Sequence, residues 1–121
     1  MVEMTIPLPP VTKKNHQEIR RNAKTGKPFV AQSKQYREYE AAAGLFLQPL
    51  GIDYPVNVKA VYYMPTRRRV DLVNLHSALH DVLVKAGVVT DDNCKIIVST
   101  DGSRVDYDKD HPRTEIEIRR V

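Results

Sequence analysis

RRRVDLVNLHSALHDVLVKAGVVTDDN, residues 67–93, is the stretch from which the rest of the chain is read. Three arginines stand directly before an aspartate. Leu72, Leu75, Leu79, Val82 and Leu83 then recur at three- and four-residue spacing, which predicts an amphipathic helix from about Asp71 to Ala86. Asp71 suits its N-cap, where a carboxylate meets orphan N–H groups and the positive end of the dipole. Gly87 suits the C′ position. Asn74, Ser77 and Asp81 fall roughly on the polar side. Two adjacent aspartates, Asp91 and Asp92, follow the glycine. Cations beside carboxylates build a poor core, but they can hold a polyanion against a metal ion.

On the downstream side, CKIIVST at 94–100 reads as a strand and Asp101-Gly102-Ser103 as a turn. VDYDKDHP at 105–112 reads as an acidic solvated loop. RTEIEIRRV alternates, with Ile116 and Ile118 inward. On the upstream side, 66–70 is a basic loop and PVNVKAVYYM at 55–64 a half-buried strand, with Val56, Val58, Ala60 and Tyr62 on its apolar face. Ser33 caps a helix of about 34–48, whose inward face carries Tyr36, Tyr39 or Glu40, Ala43, and Phe46 or Leu47. Residues 17–21 and 27–31 are the arms of a basic hairpin around Asn22–Gly26, and residues 2–8 form a first strand. The order predicts one α+β domain over residues 1–121: a small mixed sheet with two helices packed on it.

The bulk numbers fit. A chain of 121 residues is enough for one domain and too short for two. With 41% hydrophobic and 28% charged residues it has an ordinary globular composition. It contains no apolar run near the ~18 residues of a membrane span, and MVEMTIPLPP lacks the features of a secretory signal. The single cysteine, Cys94, excludes an internal disulfide and fits a reducing cytoplasm. A net charge of +4 permits nucleic-acid binding.

The carboxylates that carry chemistry are Asp71, Asp91 and Asp92, with Asp101 in reserve. Two carboxylates suffice for Mg²⁺, which keeps several waters. The structural alternative is a helix cap at Asp71 and a turn at Asp91-Asp92. Asp81 lies ten residues past Asp71, ~15 Å along the helix, too far to share an ion with it. His76 and His80 have zinc-compatible spacing but no HExxH or cysteine pair accompanies them, and they read as exposed helix histidines. Asp106, Asp108, Asp110 and Glu117 match EF-hand positions, but His111 stands where that loop needs glycine, so calcium is rejected. Tyr36 and Tyr39 could stack on bases, with core packing as the alternative.

The stretch MPTRRRVDLVNLHSALHDVLVKAGVVTDDN, residues 64–93, resembles the RusA family of Holliday-junction resolvases, found in bacteria and often in prophages. The family pattern is M-P-x-R-R-R-x-D-x-D-N-L, a helix, K-A-G and a D-D pair. The resemblance implies a Mg²⁺-dependent homodimeric endonuclease acting on branched DNA, with Mn²⁺ as a substitute metal. It implies catalysis and metal binding by Asp71 and Asp92, with Asp91 beside them, and Asp101 or Asp91 is the substitute for a metal ligand the family has and this sequence lacks. Lys13, Lys14, Arg67, Arg68 and Arg69 would seat phosphates. The sequence departs from the pattern twice. Val73 occupies the second aspartate of D-x-D-N, and Ser77 occupies the family's helix lysine, for which Lys14 or Lys85 could substitute.

Two further function classes stay open on sequence. A junction-binding protein could keep this fold without the nuclease, and it would bind a four-way junction without nicking it. A metabolic enzyme with a small acidic substrate would show no junction preference.

Overall fold

The sequence VNVKAVYYM forms the strand around which the sheet is laid. The computed structural model describes residues 1–13 and 17–121. Its elements are β1 (Val2–Ile6), β2 (Gln17–Arg21), β3 (Pro28–Gln32), α1 (Lys34–Gly44), β4 (Val56–Met64), α2 (Leu72–Lys85), β5 (Ile97–Ser99), β6 (Arg104–Tyr107) and β7 (Arg113–Arg120). The fold is α+β, as the order of patterns predicts. β7 lies antiparallel between β1 and β4, while β5 and β6 both pair with β4 in parallel. Parallel pairing needs a crossover, and α2 supplies it between β4 and β5. β2 and β3 form a separate two-stranded sheet.

The register sets the buried face. Val58 stands opposite Ile118 and Ala60 opposite Ile116, which in turn faces Met4. These side chains join Tyr39 and Ala43 of α1 and Leu75, Leu79, Val82 and Leu83 of α2 in one core. Each fully buried Val or Leu contributes roughly 1.5–3 kcal/mol of transfer free energy. Truncating Leu83, which is wholly inaccessible, would cost about 2–5 kcal/mol once its cavity is counted.

β4 is more than half-buried. Asn57 and Val61, expected on its open face, are 4% and 5% exposed. The strand is central, and the turn after β5 covers Asn57. That buried amide is bonded through both its atoms: its Oδ1 accepts from Ser99 Oγ at 2.6 Å and Asp101 N at 2.8 Å, and its Nδ2 donates to Asp101 O at 3.2 Å. Ser103 Oγ accepts from Ala60 N at 3.0 Å. Asn57 thus pins the turn that separates β5 from β6.

Other boundaries move as well. β1 stops at Ile6, before Pro7. α1 ends at Gly44, yet Leu47 beyond it is still buried. The strand expected at 94–100 shrinks to Ile97–Ser99, and β6, Arg104–Tyr107, takes the first three residues of the expected acidic loop. β6 is an edge strand, and charges on an edge hide its alternation. The rest of that loop is organised by Arg113. Its guanidinium donates to Asp108 at 2.9 Å and Glu115 at 2.8 Å and lies 3.9 Å from the Tyr63 ring.

Both helix ends form as their sequences dictate. Ser33 Oγ accepts from Tyr36 N at 3.2 Å. Gly87 has φ of 75°, a conformation that disfavours a Cβ. Val88 N donates to Leu83 O at 2.9 Å and Gly87 N to Val84 O at 3.0 Å, the paired bonds of a Schellman motif. The chain after Gly87 then runs beside Ile52, with Thr90 N donating to Ile52 O at 2.9 Å.

His76 and His80 are not the exposed pair that their spacing suggested. His76 Nδ1 lies 2.7 Å from Tyr62 Oη, and the two imidazoles stack at 5.5 Å with a 7° interplanar angle. His80 Nε2 is buried with no hydrogen-bond partner among the described residues. Burial, reinforced by His76 and opposed by Asp81, pushes the His80 pKa down from 6.5 to about 4. Between those two values the unfolded chain binds a proton that the folded chain refuses. Stability present above pH 6.5 should therefore fall as the pH drops through that window, by on the order of 3 kcal/mol. Urea unfolding at about pH 7.5 and about pH 5, at fixed protein concentration, should show about 2 kcal/mol of this loss. His80→Leu should reduce the difference, because it removes the titrating ring and keeps an apolar side chain of similar size at that position. An unchanged difference would mean that His80 is not the titrating group.

Candidate active site

Asp71 stands at the N-cap of α2 in an extended conformation, φ −92° and ψ 128°, but makes no side-chain capping bond. Its exposed carboxylate meets only Asn74 Nδ2, at 3.4 Å, among the described residues. The helix therefore leaves this carboxylate available to a ligand. Val73, on the next turn of backbone, is 74% exposed, and Ser77 is exposed one turn further along the same face.

The aspartate pair after α2 divides its roles. Asp91 Oδ1 accepts from Asp92 N at 2.7 Å and its Oδ2 from Asn93 Nδ2 at 3.0 Å. These bonds, the backbone one foremost, hold the Asp91 carboxyl below the usual carboxylate range. Asn93 Oδ1 accepts from Lys95 N at 2.9 Å and fixes the next turn. Asp92 gives this network its N–H and keeps its side chain exposed. Asp91 builds the turn; Asp92 is the carboxylate it presents.

These two ends are far apart. α2 has 14 residues, so at ~1.5 Å rise per residue it separates Asp71 from Gly87 by roughly 20 Å, and the Asp91-Asp92 turn follows at that far end, between Val89 beside Ile52 and Ile96 beside Val56. Asp101 is exposed beside Asn57, toward the end of β4 where β5 begins. Among the described residues no group of three His, Cys, Asp or Glu side chains could hold a metal ion. Asp71, Asp92 and Asp101 do not meet around one ion within a single chain.

The cations are similarly divided. Arg68 and Arg69 are exposed and line an open groove of about 590 Å³ with Pro9, Pro10, Thr12 and Gln35. Val70 and Leu75, which bracket Asp71 in sequence, line the same groove. Arg67 is held by the Tyr107 ring, 4.2 Å from its centroid. Tyr107 was not legible as a site residue because its strand, β6, was read as loop. Lys13 pairs with Asp81 and is only 21% exposed, so it is engaged rather than offered to phosphate. Lys14 lies outside the described residues. Lys85 donates to Glu40 of α1 at 2.6 Å.

Comparison with known proteins gives this arrangement its context. The pattern of the family described as Endodeoxyribonuclease RusA matches residues 7–119. A crossover junction endodeoxyribonuclease from Enterobacteria phage 82 is 37% identical over 92 residues, covering 74% of this chain and 72% of the relative. The protein of that name from Escherichia coli K12 is 36% identical over 91 residues, with the same coverage. One from Aquifex aeolicus is 41% identical over 49 residues, covering 40% of this chain and 39% of the relative. The match takes in the arginine run, Asp71, α2 and the aspartate pair together, and this chain belongs to the RusA endodeoxyribonuclease family.

Proposed function

We propose that this chain is a Mg²⁺-dependent endonuclease that resolves four-way DNA junctions as a homodimer. In that dimer Asp71 of one protomer works with the partner's Asp92. The observation that carries this reading is the position of two available carboxylates at opposite ends of one rigid helix, in a family of junction nucleases. Two copies of α2 side by side and antiparallel about a two-fold axis bring each Asp71 to the partner's Asp92. Two equivalent sites result, matching the two strands that a symmetric junction offers. The outward face of α2 suits this approach: Val73 and Ser77 lie along it, exposed and small enough for close packing.

The donor set fits a hard divalent cation, because both carboxylates are exposed oxygen donors. When bound there, Mg²⁺ supplies charge relief on the scissile phosphate and lowers the pKa of the attacking water. Mn²⁺ has the same ligand preference and should substitute. Arg68 and Arg69 seat phosphates beside Asp71, and Arg67 does so against the Tyr107 ring. Such contacts position DNA without reading its bases. Val73 supplies no ligand, so one coordination position falls to water or to Asp101. That same departure favours a second reading, a junction-binding protein with weak or no cleavage. Paired nicks in a labelled junction incubated with Mg²⁺ separate the two.

Asp71→Asn and Asp92→Asn should each abolish nicking while junction binding persists, since each removes a charge and barely alters shape. Asp91→Asn should impair less, because its amide oxygen can still accept from Asp92 N, and only the bond from Asn93 Nδ2 is lost. Asp101→Asn tests whether that carboxylate takes the vacant position; unchanged cleavage removes it from the site. Normal cleavage by Asp71→Asn would overturn the assignment. Val73→Asp should lower the Mg²⁺ concentration needed for cleavage.

The salt dependence of binding tests the cations. The log–log slope should be about −0.9 per phosphate neutralised on duplex arms. Replacing Arg68 and Arg69 by alanine should flatten it by one to two such increments, whereas Lys13→Ala should leave it unchanged because Asp81 already holds that ammonium. An unaltered slope in the double arginine variant would remove the groove from the DNA surface.

A further inference from the structure

β2 and β3 pair with each other and, among the described residues, join no other sheet. Their turn is firmly built. Asn22 Oδ1 accepts from Lys24 N at 2.8 Å and Thr25 N at 3.1 Å, and Gly26 N donates to Asn22 O at 2.8 Å. Gly26 supplies the positive φ, 68°. The ribbon is basic: Arg21, Lys24 and Lys27 are exposed, and Arg20 stands opposite Phe29 in the register. Two large apolar side chains nevertheless point to solvent, Ile19 at 79% and Phe29 at 46% exposed. Side chains alternate along a strand, so Ile19 and Arg20 project to opposite faces. Phe29, paired with Arg20, therefore shares a face with that arginine and not with Ile19. Each face thus carries an apolar group next to a cation.

This combination does not build a core, because the ribbon lies outside the main sheet. It matches a ligand that offers phosphates and flat apolar surfaces together, which is nucleic acid with unstacked bases. Two-stranded ribbons fit DNA grooves, apolar wedges part base steps, and aromatic rings stack on any exposed base. A four-way junction exposes such base faces at its crossover, and a continuous duplex does not.

We propose that the β2–β3 ribbon recognises the branch point. Phe29 stacks on bases opened at the crossover, Ile19 wedges on the other side, and Arg21, Lys24 and Lys27 hold the flanking phosphates. This inference rests on the junction reading above and adds to it the element that distinguishes a junction from a duplex.

The test uses the full chain in chelator, so that no DNA is cut. Affinities for a four-way junction and for a duplex of the same arm sequence are compared by fluorescence anisotropy. Phe29→Ala should weaken junction binding about tenfold or more and leave duplex binding unchanged, and Phe29→Tyr should restore it. 2-Aminopurine at the branch point should change its emission on binding the wild-type chain and not on binding Phe29→Ala. A junction preference that survives Phe29→Ala, with the emission change intact, overturns this inference and leaves the nuclease reading standing. Loss of dimerisation in Phe29→Ala would instead put the ring in a subunit contact and also overturn it. A wild-type chain with no junction preference overturns both readings.

Discussion

The unbroken hydrogen-bond ladder of α2 is the constraint on which everything else depends. A helix cannot shorten, so 14 residues hold their ends roughly 20 Å apart. Its two ends are fixed independently. The Schellman bonds around Gly87 and the strand-like run beside Ile52 anchor the C-terminal end. The Tyr62–His76 contact and the packing of Leu75 anchor the N-terminal end to β4. Asp71 and Asp92 are therefore presented rigidly and apart. Under the function proposed above, a site that needs both is completed by a second copy of the chain.

Fixing the site on such elements has an energetic logic. Small displacements of catalytic groups lose large factors in rate, so ligands are best mounted on rigid supports. Asp91 shows how the sequence manages this locally. Its carboxylate is taken up in ordering the turn, and its neighbour Asp92 is displayed as a result. Asn57 performs a similar service for the turn carrying Asp101. The residues that present the candidate ligands are thus as informative as the ligands themselves.

Much of this was legible in the sequence, for identifiable reasons. The apolar stripe of α2, Ser33 and Gly87 are local signals with one physical solution each, and the structure realises all three. The RusA pattern was visible because it is long and combines several residue types. What local patterns do not show is non-local. Asp71 and Asp92 are near in sequence pattern, and the helix between them holds them toward opposite ends. Lys13 looked like a phosphate contact, yet it meets Asp81, 68 positions away. His76 and His80 looked exposed because nothing local announces Tyr62 against their face. β6 was hidden by its charges, and with it the ring that holds Arg67.

Subunit complementation tests the shared site most directly. Asp71→Asn and Asp92→Asn proteins, each inactive alone, are mixed under conditions of subunit exchange and assayed on a labelled four-way junction with Mg²⁺. If each site draws Asp71 from one protomer and Asp92 from the other, the heterodimer holds one site with both changes and one with neither. The account predicts that nicking returns in the mixture and that each junction is cut on one strand at a time. No recovery, with heterodimers demonstrably present and bound to the junction, would contradict it and place each site within a single chain.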